Sequence, residues 1–153
     1  TRAFTIIFVA TIIIWFLQSF DSRLNVVADS ADSLLANIGR LIAPIFAPLG
    51  FSDWRASTAL ITGFSAKEAV VSTLAVLTGS NISDLSVGLS AMFTPLTAWS
   101  FLLFTLLYTP CVAAISAVKR EMGKTRHAVF VVFAQTGIAW LVAFLFYQVA
   151  SLF

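Results

Sequence analysis

The sequence predicts an all-α fold: a polytopic helical membrane protein fragment with about four membrane-crossing segments, one broken helix and one amphipathic or re-entrant helix. Three observations predict it. Of the 153 residues, 59% are hydrophobic and only 10% are charged, where soluble domains hold about 45–50% and about 25%. A soluble core of this size does not need that much apolar surface, so the bilayer is the expected solvent. Next, four stretches approach the roughly 17–25 residues that a crossing helix needs. Finally, a glycine with a Lys-Glu pair interrupts one of those stretches, and a proline interrupts another.

The first span covers residues 4–20. It opens TRAFTIIFVATIIIWFLQSF without an initiator Met, and QSFDSR after it makes a poor signal-cleavage site, so a fragment of a longer membrane protein is expected. DSADSLLANIGRLIAPIFAPLGF follows. Leu34, Ile38, Leu41 and Ile45 recur at helical spacing, Asp29 and Asp32 suit a helix start, and Pro44 and Pro48 end it. This is either an amphipathic helix at the membrane surface or an ordinary helix packed on the bundle.

The second span, residues 54–77, contains GFSAKEAVVSTL. Ser65-Ala-Lys-Glu68 fits a capping box, and Gly63 before it can take backbone angles that other residues avoid. A helix is therefore expected to start near Ala66, with a separate short helix over residues 54–62. Each charge at the centre of a span costs about 2.5–3.5 kcal/mol on insertion scales. Neighbours on a helix diverge, so Lys67 and Glu68 each need their own partner or water. Either Glu68 faces a polar path, or both charges reach a nearby interface and the helix is merely capped.

The third span, residues 96–118, starts well with Thr94 as N-cap and Pro95 in the first turn. Pro110 falls deep inside it and frees the carbonyl of Leu106. With Thr109 and Cys111 beside it, this kink is either a cation site mixing oxygen and sulfur or a structural kink with an inert cysteine. The fourth span covers residues 127–149. KREMGKTRH, residues 119–127, carries four of the nine basic residues and residues 79–94 carry none, so the first should face the cytoplasm and the second the outside. Trp54, Trp99 and Tyr147 fit an interfacial belt, and Gln135 and Gln148 suit bonds between helices. His127 reads as interfacial, and Met92 and Met122 stand alone. One cysteine excludes an internal disulfide. No basic stripe points to nucleic acid. No phosphate loop, His-x-x-x-His pair or serine elbow points to an enzyme.

LIAPIFAPLGF, SDWRASTALITGFSAKEAVVSTLAVL, LLYTPCVAAISAVKREMG and AQTGIAWLVAFLFYQV appear in order over about residues 41–149. Together they resemble the C-terminal membrane region of the bacterial ferrous iron transport protein B (FeoB) family. The resemblance implies a Gate-like segment over 34–77 and a C-terminal helix pair over 95–150. An upstream GTPase domain using GTP and Mg2+, and a first Gate half, would lie outside this chain. It implies Fe2+ as transported substrate, no cofactor within residues 1–153, and a multi-pass position in the bacterial inner (plasma) membrane. Membrane lipid, the first Gate half and the GTPase domain would be its partners, and a homo-oligomer is allowed. By position, Cys111 matches the family's Pro-Cys cysteine, and Gly63 and Glu68 match its Gly-Phe-x-x-Lys-Glu motif. The expected metal-path residues are Cys111, Glu68 and Thr109, with Gly63, Ser65 and Pro110 structural. An organic-solute transporter, such as one for a nucleoside, and a purely scaffolding half are the alternatives.

Overall fold

The computed structural model describes residues 2–21, 23, 25–27, 29–64, 67, 69–79, 84–108 and 111–152. Eight α-helices carry them: α1 (Arg2–Ser19), α2 (Leu34–Phe46), α3 (Trp54–Gly63), α4 (Ala69–Thr78), α5 (Leu85–Met92), α6 (Pro95–Leu107), α7 (Val112–Met122) and α8 (Thr125–Ala150). No strand occurs among the described residues beyond a single bridge between Phe20 and Val26. The all-α membrane fragment expected from composition is what forms.

Among the described residues, only α8 is long and apolar enough to cross a bilayer alone. Its 26 residues reach about 39 Å at 1.5 Å per residue, beyond a hydrocarbon core of about 30 Å. Up to three crossings result if each bent pair counts as one: α2 with α3, and α5 with α6, each bent by 103°. The four crossings expected are therefore mostly broken pieces. Residues 54–77 do split, into α3 and α4. Residues 96–118, expected as one kinked helix, also split, into α6 and α7. Residues 79–94, expected as a loop, contain α5.

Helix α2 buries one face and leaves the spaced apolar stripe outside. Ser33 caps it, accepting from the Ala36 N–H at 3.1 Å. Leu35, Ala36, Gly39, Ala43 and Phe46 are its buried residues, and the helix packs on α3. Leu41 is 79% exposed and Ile45 58%. The apolar stripe singled out by its spacing thus points outward, as a lipid-facing stripe does. Pro44 lies inside the helix, and the stop falls later, at Gly50 with φ +89°. The Tyr147 ring packs where a Cβ on Gly50 would go.

The core centres on Phe46, Phe51, Phe101, Phe104 and Tyr108, whose rings meet at centroid distances such as 5.2 Å for Phe46–Phe104 and 5.3 Å for Phe51–Phe101. Ala139 and Ala143 of α8 are fully buried, and such small residues let helices approach closely. Helix α8 also satisfies carbonyls where α2 ends. Trp140 Nε1 donates to Ile45 O at 3.0 Å, and Gln148 Nε2 to Pro48 O at 3.4 Å. Ser100 Oγ of α6 donates to Leu49 O at 2.8 Å. Away from water, an unpaired carbonyl would cost several kcal/mol, so these bonds set the bend between α2 and α3.

Candidate functional site: two helix breaks in contact

The break after α3 and the break after α6 lie against each other. Helix α3 closes with the Phe64 N–H donating to Ile61 O at 3.2 Å. Helix α6 closes with the Tyr108 N–H donating to Phe104 O at 2.8 Å, and Tyr108 then turns extended (φ −65°, ψ 170°). Three bonds join the two ends. The Val112 N–H, at the start of α7, donates to Phe64 O at 3.0 Å. Tyr108 Oη donates to Leu60 O at 3.3 Å. Lys67 Nζ donates to Leu106 O at 2.9 Å, with the ammonium 5.4 Å from the Tyr108 ring centroid.

Two sequence expectations change here. The Leu106 carbonyl was expected to be without its helical donor, as part of either a cation site or a structural kink. It holds the Lys67 ammonium instead, a tethered cation at the negative end of the α6 dipole. Lys67, half-buried, thereby gains a partner for its charge. Gly63 was expected for its backbone angles, yet it is not among the glycines with positive φ. Its role is close approach: a Cβ there would run into the Val70 side chain and the Tyr108 hydroxyl.

Cys111 is a half-buried free thiol with extended backbone, immediately before α7. Glu68, Thr109, Ser65 and Pro110 lie outside the described residues. The expected cap of α6 is present, with Thr94 accepting from the Thr97 N–H at 3.3 Å. Among the described residues no three His, Cys, Asp or Glu side chains gather as a ready metal cluster. His127 is exposed.

The end of the first half-helix near Ile61 and Thr62 was the place the sequence favoured for a metal; Tyr108 and Thr73 were not singled out, and the Thr73 hydroxyl meets that of Thr62 at 2.9 Å between α3 and α4. Thr58 and Thr62 at i, i+4 were a signal available for that polar face. Tyr108 left no such mark, because its partner Leu60 is 48 residues away.

The geometry has the form of a site between discontinuous helices, where carbonyl ends and N–H ends converge inside a protein. Comparison with known proteins narrows the family. A model of the Gate family, described as nucleoside recognition, matches residues 1–125. The chain belongs to the Gate family. Fe(2+) transporter FeoB of Staphylococcus aureus is 34% identical to this Gate chain over 152 residues, covering 99% of the chain and 23% of that relative. FeoB of Methanocaldococcus jannaschii is 35% identical over 158 residues. A Fe(2+) transport protein A/FeoB fusion protein of Porphyromonas gingivalis is 35% identical over 136 residues, 79% of the chain. The chain thus spans about a quarter of the length of the first two relatives. No solved structure matches.

Proposed function

We propose that this Gate chain forms half of the cation path of a ferrous iron importer, with Fe2+ as the transported substrate. The observation that carries it is the contact between the two breaks, which sets the Cys111 thiol one residue from the Val112–Phe64 link. Its extensive similarity to proteins named as Fe(2+) transporters supports it. Cys111 supplies a polarizable sulfur and Thr109 a hard oxygen, a pairing that suits a borderline ion such as Fe2+. Glu68 supplies the negative charge. The N-termini of α4 and α7 both meet this region, and their positive dipole ends oppose a cation unless a carboxylate offsets them. Lys67 stays on the α6 side, away from the ion, and holds the breaks together.

In this proposal the chain is a multi-pass part of a plasma membrane protein, with residues 119–127 cytoplasmic. Residues 34–77 act as the Gate-like segment and 95–150 as the C-terminal part. Lipid, a first Gate half and a GTPase domain with GTP and Mg2+ are its partners. The chain carries passage rather than catalysis.

The test is radioactive Fe2+ uptake by the intact protein in iron-starved cells at matched expression. Cys111→Ser and Glu68→Gln should each lower uptake by roughly tenfold or more, the usual scale for removing a metal-site group. Wild-type rates in both would sink the proposal. The family's description favours a second reading, an organic solute such as a nucleoside. Competition of Fe2+ uptake by excess nucleoside would support that reading instead.

A further inference from the structure

A second polar space lies on the other side of the Thr62–Thr73 pair, and Cys111 is not among its lining residues. It is a cavity of about 180 Å³ between α1, the start of α2, α3 and α4, lined by Gln18, Ser33, Thr58, Ser72, Thr73 and the apolar Val76 and Leu77. Among the described residues, no charged side chain lines it. Ser33, Thr58 and Thr73 are buried.

The hydrogen bonds decide what this lining presents. A hydroxyl has one proton and two lone pairs. Thr58 spends its proton on Trp54 O at 2.7 Å, and Ser72 on Ala69 O at 3.0 Å. Thr62 donates to Ala59 O at 2.8 Å, so in the 2.9 Å Thr62–Thr73 contact the proton belongs to Thr73. Ser33 Oγ accepts from the Ala36 N–H. Three hydroxyls of the lining therefore have their protons committed to the protein, and what remains at each oxygen is an acceptor. A neutral, acceptor-rich lining favours water molecules that point their protons outward, which is how water is oriented around a cation.

Volume selects the form of that cation. Oxygens held at about 2.0–2.6 Å from a bare divalent ion would leave most of 180 Å³ empty. The space is large enough for an ion together with an octahedral shell of waters. We infer that this chamber binds a divalent cation with its water shell retained, held through its waters by Thr58, Ser72, Thr73 and the Gln18 amide. It acts as a waiting site separate from the Cys111 break. A neutral lining keeps the binding weak enough for the ion to leave again, as conduction requires. Its role in transport rests on the cation-passage proposal, but binding itself does not.

The test uses Mn2+ as probe, titrated into the purified intact protein, with free and bound ion separated by electron paramagnetic resonance. Thr73→Val should weaken one Mn2+ equivalent by roughly tenfold, and Thr73→Ser should restore it. Cys111→Ser should leave that equivalent unchanged, and the bound ion should show couplings to water protons. Thr58→Val is the parallel variant if Thr73→Val lowers the melting temperature. Wild-type titration in the folded Val variants, failure of Thr73→Ser to restore binding, or a bound Mn2+ without water protons would each overturn the inference. Loss of Mn2+ binding in Thr73→Val together with normal Fe2+ uptake in Cys111→Ser would keep the chamber and remove the Cys111 path.

Discussion

Gly63 shows how much one missing methyl can matter. It sits where α3 ends, between Val70 of α4 and the Tyr108 hydroxyl beyond α6. Both neighbours are buried, so neither can swing away freely. Gly63→Ala should push the two breaks apart, cost about 1–3 kcal/mol as overpacking does, and lower the melting temperature. Val70→Ala removes the Cγ2 methyl that the new Cβ would meet. The Gly63→Ala, Val70→Ala double variant should therefore be more stable than the sum of the single effects predicts, since contacting residues couple. Strict additivity in thermal unfolding would mean that the glycine is not there for close approach. The backbone freedom inferred from the sequence would have sent attention to the wrong property, because a sequence shows that a side chain is missing but not what occupies its space.

At the scale of elements, the interrupted helices are the part of the site that was legible. Proline at 110, the Thr94-Pro95 start and the charged pair at 67–68 are local signals, and each marks an end or a break by backbone chemistry alone. What meets at those ends was not legible. The freed Leu106 carbonyl could be deduced, but its donor lies 39 residues earlier, on another helix break. Periodicity likewise found a stripe on α2 but not its direction, because the face that packs on α3 includes the small residues Ala36, Gly39 and Ala43, which leave no strong hydrophobic mark in the sequence. The Lys67–Leu106 bond has a consequence that can be measured. Lys67→Met keeps the length of the stem and removes the donor, so the Leu106 carbonyl loses its ammonium partner. The end of α6 should loosen from the start of α4, and Cys111, three residues past Tyr108, should react several-fold faster with a maleimide. Unchanged reactivity in Lys67→Met would mean that the ammonium does not hold the breaks together.

For the molecule as a whole, the distribution of apolar surface argues for lipid on its outside. Leu41, Leu106, Phe130 and Phe133 are all more than two-thirds exposed, which a water-facing protein of this size would not sustain as broad patches. One group of charges is set apart: Lys119, Arg120, Lys124 and Arg126 are exposed together at the turn from α7 to α8, and Asp84 is exposed before α5. Helices α7 and α8 are joined at Gly123, whose φ of +68° lets the chain reverse, so the basic turn is an end of the bundle rather than part of its flank. Basic residues at span ends are retained on the cytoplasmic side. In a Cys111→Ser background, Lys124→Cys should therefore resist a membrane-impermeant maleimide applied to intact cells, and label only after the membrane is opened. Asp84→Cys should label from outside. Labelling of Lys124→Cys from outside would invert the orientation. The proposed ion would then meet the two helix breaks from the opposite side, and Glu68 would have to offset the helix dipoles for an ion leaving rather than entering.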